Sequence, residues 1–213
     1  MSDLKVGVIT GGHSFDVIGF HRLFRSIDGM DCYMQSLEEW AADFQKYGRR
    51  YDALVFYNMH KEAPEAFGRY VRPAIDSLAE GPGHVILHHG ILAFKQDPTW
   101  DAMVGMTDRT IDGFSHDETL GVHVEETSHP ITQGLSDWEM VDETYDFGNV
   151  GPEDNDILLT VDHPESMSTM AWTRQYEDAR VFNDVFGHDD QTWSDEHFRT
   201  VLARGIRWTA GEI

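Results

Sequence analysis

The sequence predicts an open α/β fold, a mostly parallel sheet with helices on both faces. Three observations predict it. Short apolar runs alternate with segments of helical periodicity through the first half. Two of those runs, Lys5–Thr10 and His84–His89, end beside glycines, as buried parallel strands that feed tight turns do. The chain has 213 residues, 40% of them hydrophobic, which suits one domain with a substantial core.

The elements follow in order. "KVGVIT" (5–10) is the first strand, closed by Gly11-Gly12. Val17, Phe20, Leu23, Phe24 and Ile27 then mark one face of a helix. "DCYMQ" (31–35) is a weaker strand, 37–47 a second helix, and "YDALVFYN" (51–58) a strong third strand. Phe67, Val71, Ile75 and Leu78 predict a helix over 63–80, and "HVILHH" (84–89) is the fourth strand. Residues 97–156, rich in Asp, Gly, Thr and His, read as an irregular insertion of loops and short strands within a single domain spanning 1–213. Its strand candidates are "GVHVEE" (121–126) and "EMVDETYDF" (139–147). Regular patterning returns with "DILLTV" (156–161), "STMAWTRQY" (168–176) and "ARVFNDVFG" (179–187), and a helix closes the chain over about 194–210. Right-handed crossovers would place the C-terminal ends of parallel strands along one edge, where open α/β sheets bind ligands.

Composition narrows the function. The formal net charge of −22 repels phosphate backbones and anionic lipid, which argues against nucleic acid or a membrane surface as partner. The N-terminal stretch lacks the pattern of a signal peptide, and no run is long and apolar enough to span a bilayer, so a cytoplasmic location is expected. The acid-rich, Lys-poor balance also fits a salt-adapted host. Cys32 is the single cysteine, so an internal disulfide and a cysteine zinc cluster are both excluded. It lies in mid-strand and reads as a buried, inert thiol.

Four stretches carry candidate chemistry. "TGGHSFD" (10–16) turns tightly at Gly12, with Ser14 able to cap the next helix. Its spacing matches neither phosphate-binding fingerprint, and Asp16 would repel an anion there, so a neutral polar ligand suits it better. "HHG" (88–90) puts His88 and His89 at a strand end. Alternation sends them to opposite faces, and the expectation is His89 in the cleft with His88 as its structural neighbour. "DETY" (142–145) offers Glu143 and Tyr145 near another strand end. "FGHDDQTW" (186–193) repeats the strand–Gly–His pattern with His188 and Asp189. His129, in "HPITQG", reads as structural.

The expected acid/base residues are therefore His13, His89 and His188, with Asp16 and Glu143 as orienting or general-base carboxylates. Gly12, Ser14, Phe15, His88, Tyr145, Trp172 and Asp189 are the expected substrate-binding residues. No cofactor is required by this reading. A zinc-like divalent metal, held by His13, His89 and His188, is the alternative, although no compact metal motif is present.

Taken together, "VITGGHSFD", "YDALVFY", "HVILHHGI", "HPITQGL" with "DETYDF", "MAWTRQY", "ARVFNDVFGHDDQTW" and "RGIRWTAG" resemble the ThuA-like (trehalose utilisation) family, in family order from residue 6 to 211. The resemblance implies a flavodoxin-like, class I glutamine-amidotransferase-like fold and a role in sugar metabolism. It also implies the loss of amidotransferase activity, because His-His-Gly stands where those enzymes carry their nucleophile. The chain departs from the family at Glu177-Asp178-Ala179, usually a Gly-containing turn, and at Asn183-Asp184, which is expected to alter the pocket. The leading expectation is an enzyme that hydrolyses, isomerises or eliminates on a disaccharide or keto-sugar. A non-catalytic carbohydrate-binding or regulatory protein and a metal-dependent hydrolase are the alternatives. The expected partner is a small carbohydrate, and self-association into a homo-oligomer stays open.

Overall fold

The computed structural model describes residues 3–213. Nine strands form one sheet in the order β2-β1-β3-β4-β9-β8-β7-β5-β6. They are β1 (Leu4–Gly11), β2 (Met30–Ser36), β3 (Ala53–Asn58), β4 (Gly83–Leu87), β5 (Gly113–Val124), β6 (Trp138–Asp146), β7 (Asp156–Val161), β8 (Thr169–Tyr176) and β9 (Ala179–Asp184). The helices are α1 (Val17–Arg25), α2 (Leu37–Tyr47), α3 (Val71–Asp76), α4 (Pro98–Val104), α5 (Asp190–Ser194) and α6 (Glu196–Thr209).

The sheet is mixed, which corrects the expectation of a mostly parallel one. β2, β1, β3, β4 and β9 pair in parallel. From β9 outward, β8, β7, β5 and β6 pair antiparallel. The connections explain the change. β8 and β9 are joined by Glu177-Asp178 alone, and β7 reaches β8 through residues 162–168, both too short for a helical crossover. Glu177 takes the turn with φ of +49°, the left-handed conformation that a glycine adopts without strain. The segment 97–156 is more ordered than its composition suggests. Its β5 and β6 are 12 and 9 residues long and hydrogen-bond within the main sheet.

β3 shows how the parallel half is packed. All six of its residues are buried, and successive side chains serve opposite faces. Phe56 packs edge-on against Trp40 of α2 and Trp100 of α4. Tyr57 stacks on Phe20 of α1 at 4.2 Å. Helices therefore cover both faces. Local signals set their ends. Asp16 caps α1 by accepting the Ile18 N–H, and Ser36 with Glu39 forms a capping box on α2.

The helix expected over 63–80 is broken into a 3-10 turn (Pro64–Phe67), α3, and a second 3-10 turn (Ser77–Glu80). Gly68 sits at φ +112°, and Pro73 has no N–H to give the carbonyl four residues back, so helix cannot run unbroken through this stretch. β4 stops at Leu87, and both histidines lie in the 3-10 turn His88–Leu92. No helix among the described residues is long and apolar enough to cross a membrane.

Candidate functional site

The C-terminal ends of β1, β3, β4 and β9 lie along one sheet edge, with Gly11 in register with Asn58 and Leu87 with Asp184. The backbone turns sharply after β1 and β4. After β1, Gly12 has φ of +76°, and a Cβ there would lie 2.7 Å from the Met59 carbonyl carbon, so only glycine lets this loop lie against its neighbour. After β4, His88 itself adopts φ of +50°. A bulky residue held in this region is strained, and strain of this kind concentrates at functional sites.

That turn determines which histidine does what. His88 donates from Nδ1 to the Val185 carbonyl at 2.9 Å, which leaves Nε2 facing the carboxylate of Glu143 at 3.1 Å. Tyr145 brings its hydroxyl to within 3.0 Å of the same Nε2. His188 brings Nδ1 to 3.2 Å from Glu143 Oε2 and to 3.4 Å from His88 Nε2. His116 approaches the other carboxylate oxygen at 3.4 Å. One buried carboxylate thus meets three imidazoles. Glu143 and Tyr145 share a face of β6 by the two-residue period of a strand.

The neighbouring acid, Asp142, supports this cluster from behind. It is buried and accepts the backbone N–H groups of Gly187 (2.7 Å), His188 (3.0 Å) and Glu143 (2.8 Å). Burial pushes its carboxyl upward in pKa, against the charge of His88 and these three hydrogen bonds.

The electrostatics divide the site into two poles. Burial works to raise the Glu143 carboxyl, but hydrogen bonds from His188 and His88 and the charge of His88 hold it well below the usual carboxylate range. The bond to Glu143 raises His188 above an ordinary histidine, so it favours the imidazolium. His13 moves the other way, lowered by desolvation and by the charge of His88, so it favours the neutral base. Both groups border an open cleft of about 850 Å³ with Gly12, Ser14, His60, Glu143 and Tyr145. Phe67, Leu92, Ile111 and Phe114 form its apolar part.

The structure brings together His13, Glu143, Tyr145 and His188 with Gly12 and Ser14 at this cleft. It places other candidates elsewhere. Neither member of the histidine pair lines the cleft, so His89 is not the cleft residue expected, and His88 reaches the site from behind, through Glu143. His89 is buried, donates from Nε2 to the Tyr57 carbonyl at 3.0 Å, and packs beneath His13 with ring centroids 4.8 Å apart. Desolvation drives its pKa well down. The metal set His13, His89 and His188 is likewise not the one that converges. Asp16 is spent on the α1 cap and Asp189 on the α5 cap, where it accepts the Gln191 N–H. Phe15 packs edge-on against Phe20 and Tyr57. Trp172 is fully buried and donates its indole N–H to the Val104 carbonyl, so it cannot line the cleft. None of residues 177–184 borders the cleft; Asn183 and Asp184 are buried within the sheet.

Three contributors escaped sequence reasoning as site residues: Asp142, His116 and His60. Asp142 stands in the "DETY" stretch, but only the fold shows that its side chain reaches the backbone after β9. His116 lies within a register shift in β5 between Ser115 and Glu118, which obscures the alternation that would have placed it.

Comparison with known proteins agrees with this architecture. The family described as ThuA, trehalose utilisation, matches residues 27–209. A ThuA-like protein from Parabacteroides merdae has a similar structure, with a TM-score of 0.78 at 20% identity over 99% of this chain and 91% of that one. A ThuA-like protein from Bacteroides uniformis gives 0.72 at 15% identity, over 98% and 92%. A glutamine amidotransferase from Thermotoga maritima shares the fold at 0.56 and 12% identity, over 99% of each chain. No curated protein matches the sequence. With the family match spanning most of its length, the chain belongs to the ThuA, or trehalose utilisation, family.

Proposed function

We propose that this protein is an enzyme of sugar metabolism that acts on a neutral disaccharide or keto-sugar by proton transfer in the cleft. The observation that carries this reading is the pair of opposed titratable poles at one opening. Glu143 with His188 supplies the electrophilic side, and His13 supplies a neutral imidazole as general base. Groups whose surroundings drive their pKa values apart mark acid and base partners. A site that only bound sugar would gain little from so many titratable side chains.

The substrate class follows from the surroundings. A chain of net charge −22 disfavours anions, while sugar hydroxyls suit a wall of imidazole, hydroxyl and carboxylate groups. Phe114, 61% exposed beside the cleft, offers a face against which a pyranose ring could pack. His-His-Gly at the end of β4 gives no thiol for acyl transfer, so glutamine hydrolysis is not part of the proposal.

The test is to incubate the purified protein with disaccharides and their 3-keto derivatives and follow products by mass spectrometry. Turnover that falls in His13→Ala and His188→Ala is expected. Saturable sugar binding without turnover across the panel would overturn the catalytic reading in favour of a binding protein.

A further inference from the structure

We propose that His88, Glu143 and His188 bind a divalent first-row transition ion of the zinc type, so that the electrophilic pole of the cleft is a metal. The inference deepens the functional reading of the same cleft, but its evidence does not depend on which sugar is bound.

The triangle of donor atoms comes first. His88 Nε2, Glu143 Oε2 and His188 Nδ1 are separated by 3.1, 3.2 and 3.4 Å. Ligands about 2.0–2.1 Å from a tetrahedral zinc lie roughly 3.3 Å from one another, so the three atoms match one face of that polyhedron. An ion over this face keeps a vertex free, and the cleft offers the room, since Glu143 and His188 both border it. Two imidazoles and one carboxylate suit zinc and its neighbours. Calcium and magnesium prefer oxygen ligands throughout.

The hydrogen bonds around the triangle carry the argument further. Val185 O can only accept, so its contact places a proton on His88 Nδ1. Nε2 is then the atom that faces a carboxylate oxygen, His188 Nδ1 and the Tyr145 hydroxyl. Each of the three residues offers one ligand atom to the same small space, as a cation would require. An imidazole whose other nitrogen is tied to a backbone carbonyl is the usual arrangement behind a metal ligand. For His188 it is the backbone that is fixed, through the Asp142 bond to its N–H. His88 and Glu143 are both buried, which limits the freedom of their side chains to turn away from one another.

With an ion in place, positive charge stays at the pole that the imidazolium of His188 would otherwise supply, and His13 keeps its role as base. The ion would polarise a sugar oxygen or a bound water.

The experiment measures metal binding without sugar. Protein stripped by a chelator, with its fold checked by circular dichroism, is titrated with Zn2+ by calorimetry and with Co2+ by visible absorption. One ion per chain is expected, with Co2+ ligand-field bands that Zn2+ abolishes. His188→Ala and Glu143→Gln should each weaken binding at least tenfold, while His13→Ala, His89→Ala and the distant His123→Ala should leave it unchanged. Should a ligand variant unfold, the imidazole resonances of the native protein answer the question, because zinc must shift those of His88 and His188. Absent one-to-one binding, or equal binding by the native protein and His188→Ala, would overturn the metal. Metal binding without sugar turnover would leave it standing and remove the enzymatic reading. Turnover unchanged in fully stripped protein would do the reverse.

Discussion

Asp142 and Glu143, adjacent on β6, hold the two ends of one histidine. Asp142 accepts the backbone N–H of His188 at 3.0 Å, and Glu143 meets its imidazole at 3.2 Å. Consecutive residues on a strand point apart, yet both reach residue 188 because β6 runs beside the turn after β9. Backbone and side chain of His188 are therefore fixed independently.

Asp142→Asn tests the first of these grips. The amide keeps the shape but has one accepting oxygen for three N–H donors, and its own NH₂ would face a donor. A loss of about 2–3 kcal/mol in urea unfolding is expected, as for hydrogen bonds to a buried charge. Turnover per folded molecule should fall as well, since His188 loses its anchor.

The two adjacent histidines should separate by readout. His88→Ala removes a group in contact with Glu143, and a loss of at least about a hundredfold in turnover is expected, the low end of acid–base or ligand contributions. His89→Ala removes a buried hydrogen bond and the packing under His13. It should cost about 1–3 kcal/mol of stability while changing turnover per folded molecule by less than about tenfold. Equal effects on activity would show that the two do not differ in role.

Acid stability depends on a third histidine. His84 is fully buried between β4 and the 3-10 turn Ser77–Glu80, where Nε2 donates to Leu78 O at 2.9 Å, and burial lowers its pKa to about 4. The unfolded chain, near the ordinary value of 6.5, binds the proton more readily. Stability is therefore complete above about pH 6.5 and declines as the pH falls toward 4. Between pH 7 and pH 5 this one group should remove about 2 kcal/mol. His84→Gln should show a correspondingly flatter loss in denaturant titrations at the two pH values. His89, lowered for the same reason, acts in the same direction.

Salt should stabilise the fold. At a net charge of −22, self-repulsion is relieved when the screening length shrinks. Raising KCl from 50 mM to 1 M, where the Debye length falls to about 3 Å, should increase the unfolding midpoint by several degrees in a thermal scan. A midpoint that fell would show that specific surface ion pairs outweigh the general repulsion.

Much of this was legible in the sequence, and the limits have physical causes. Strands flanked on both sides, such as β3 with all residues buried, write their burial as an apolar run, and β1, β4, β7 and β9 were readable in the same way. His13 and His188 could be nominated because they follow strand ends, and Glu143 because it lies near one. Pairing direction was not written in the residues. It came from connection lengths, such as the two-residue turn at Glu177-Asp178, and so the antiparallel half was missed. The choice between His88 and His89 depended on a single backbone angle, the φ of +50° at His88. Alternation assumes an extended chain, and the chain stops being extended at that residue.

The strand order holds one more consequence. β6 ends the sheet, four strands beyond β9, yet its Glu143 meets His88 at the end of β4. The outermost strand thus returns to the middle of the molecule. Residues 88, 143 and 188 come from three distant parts of the chain, and they meet only when the parallel half, the antiparallel half and the turn joining β9 to α5 are all in place. A chain with half a sheet can be compact and well hydrogen-bonded, but it carries no reactive centre. Chemistry in this cleft is thereby reserved for molecules that have finished folding.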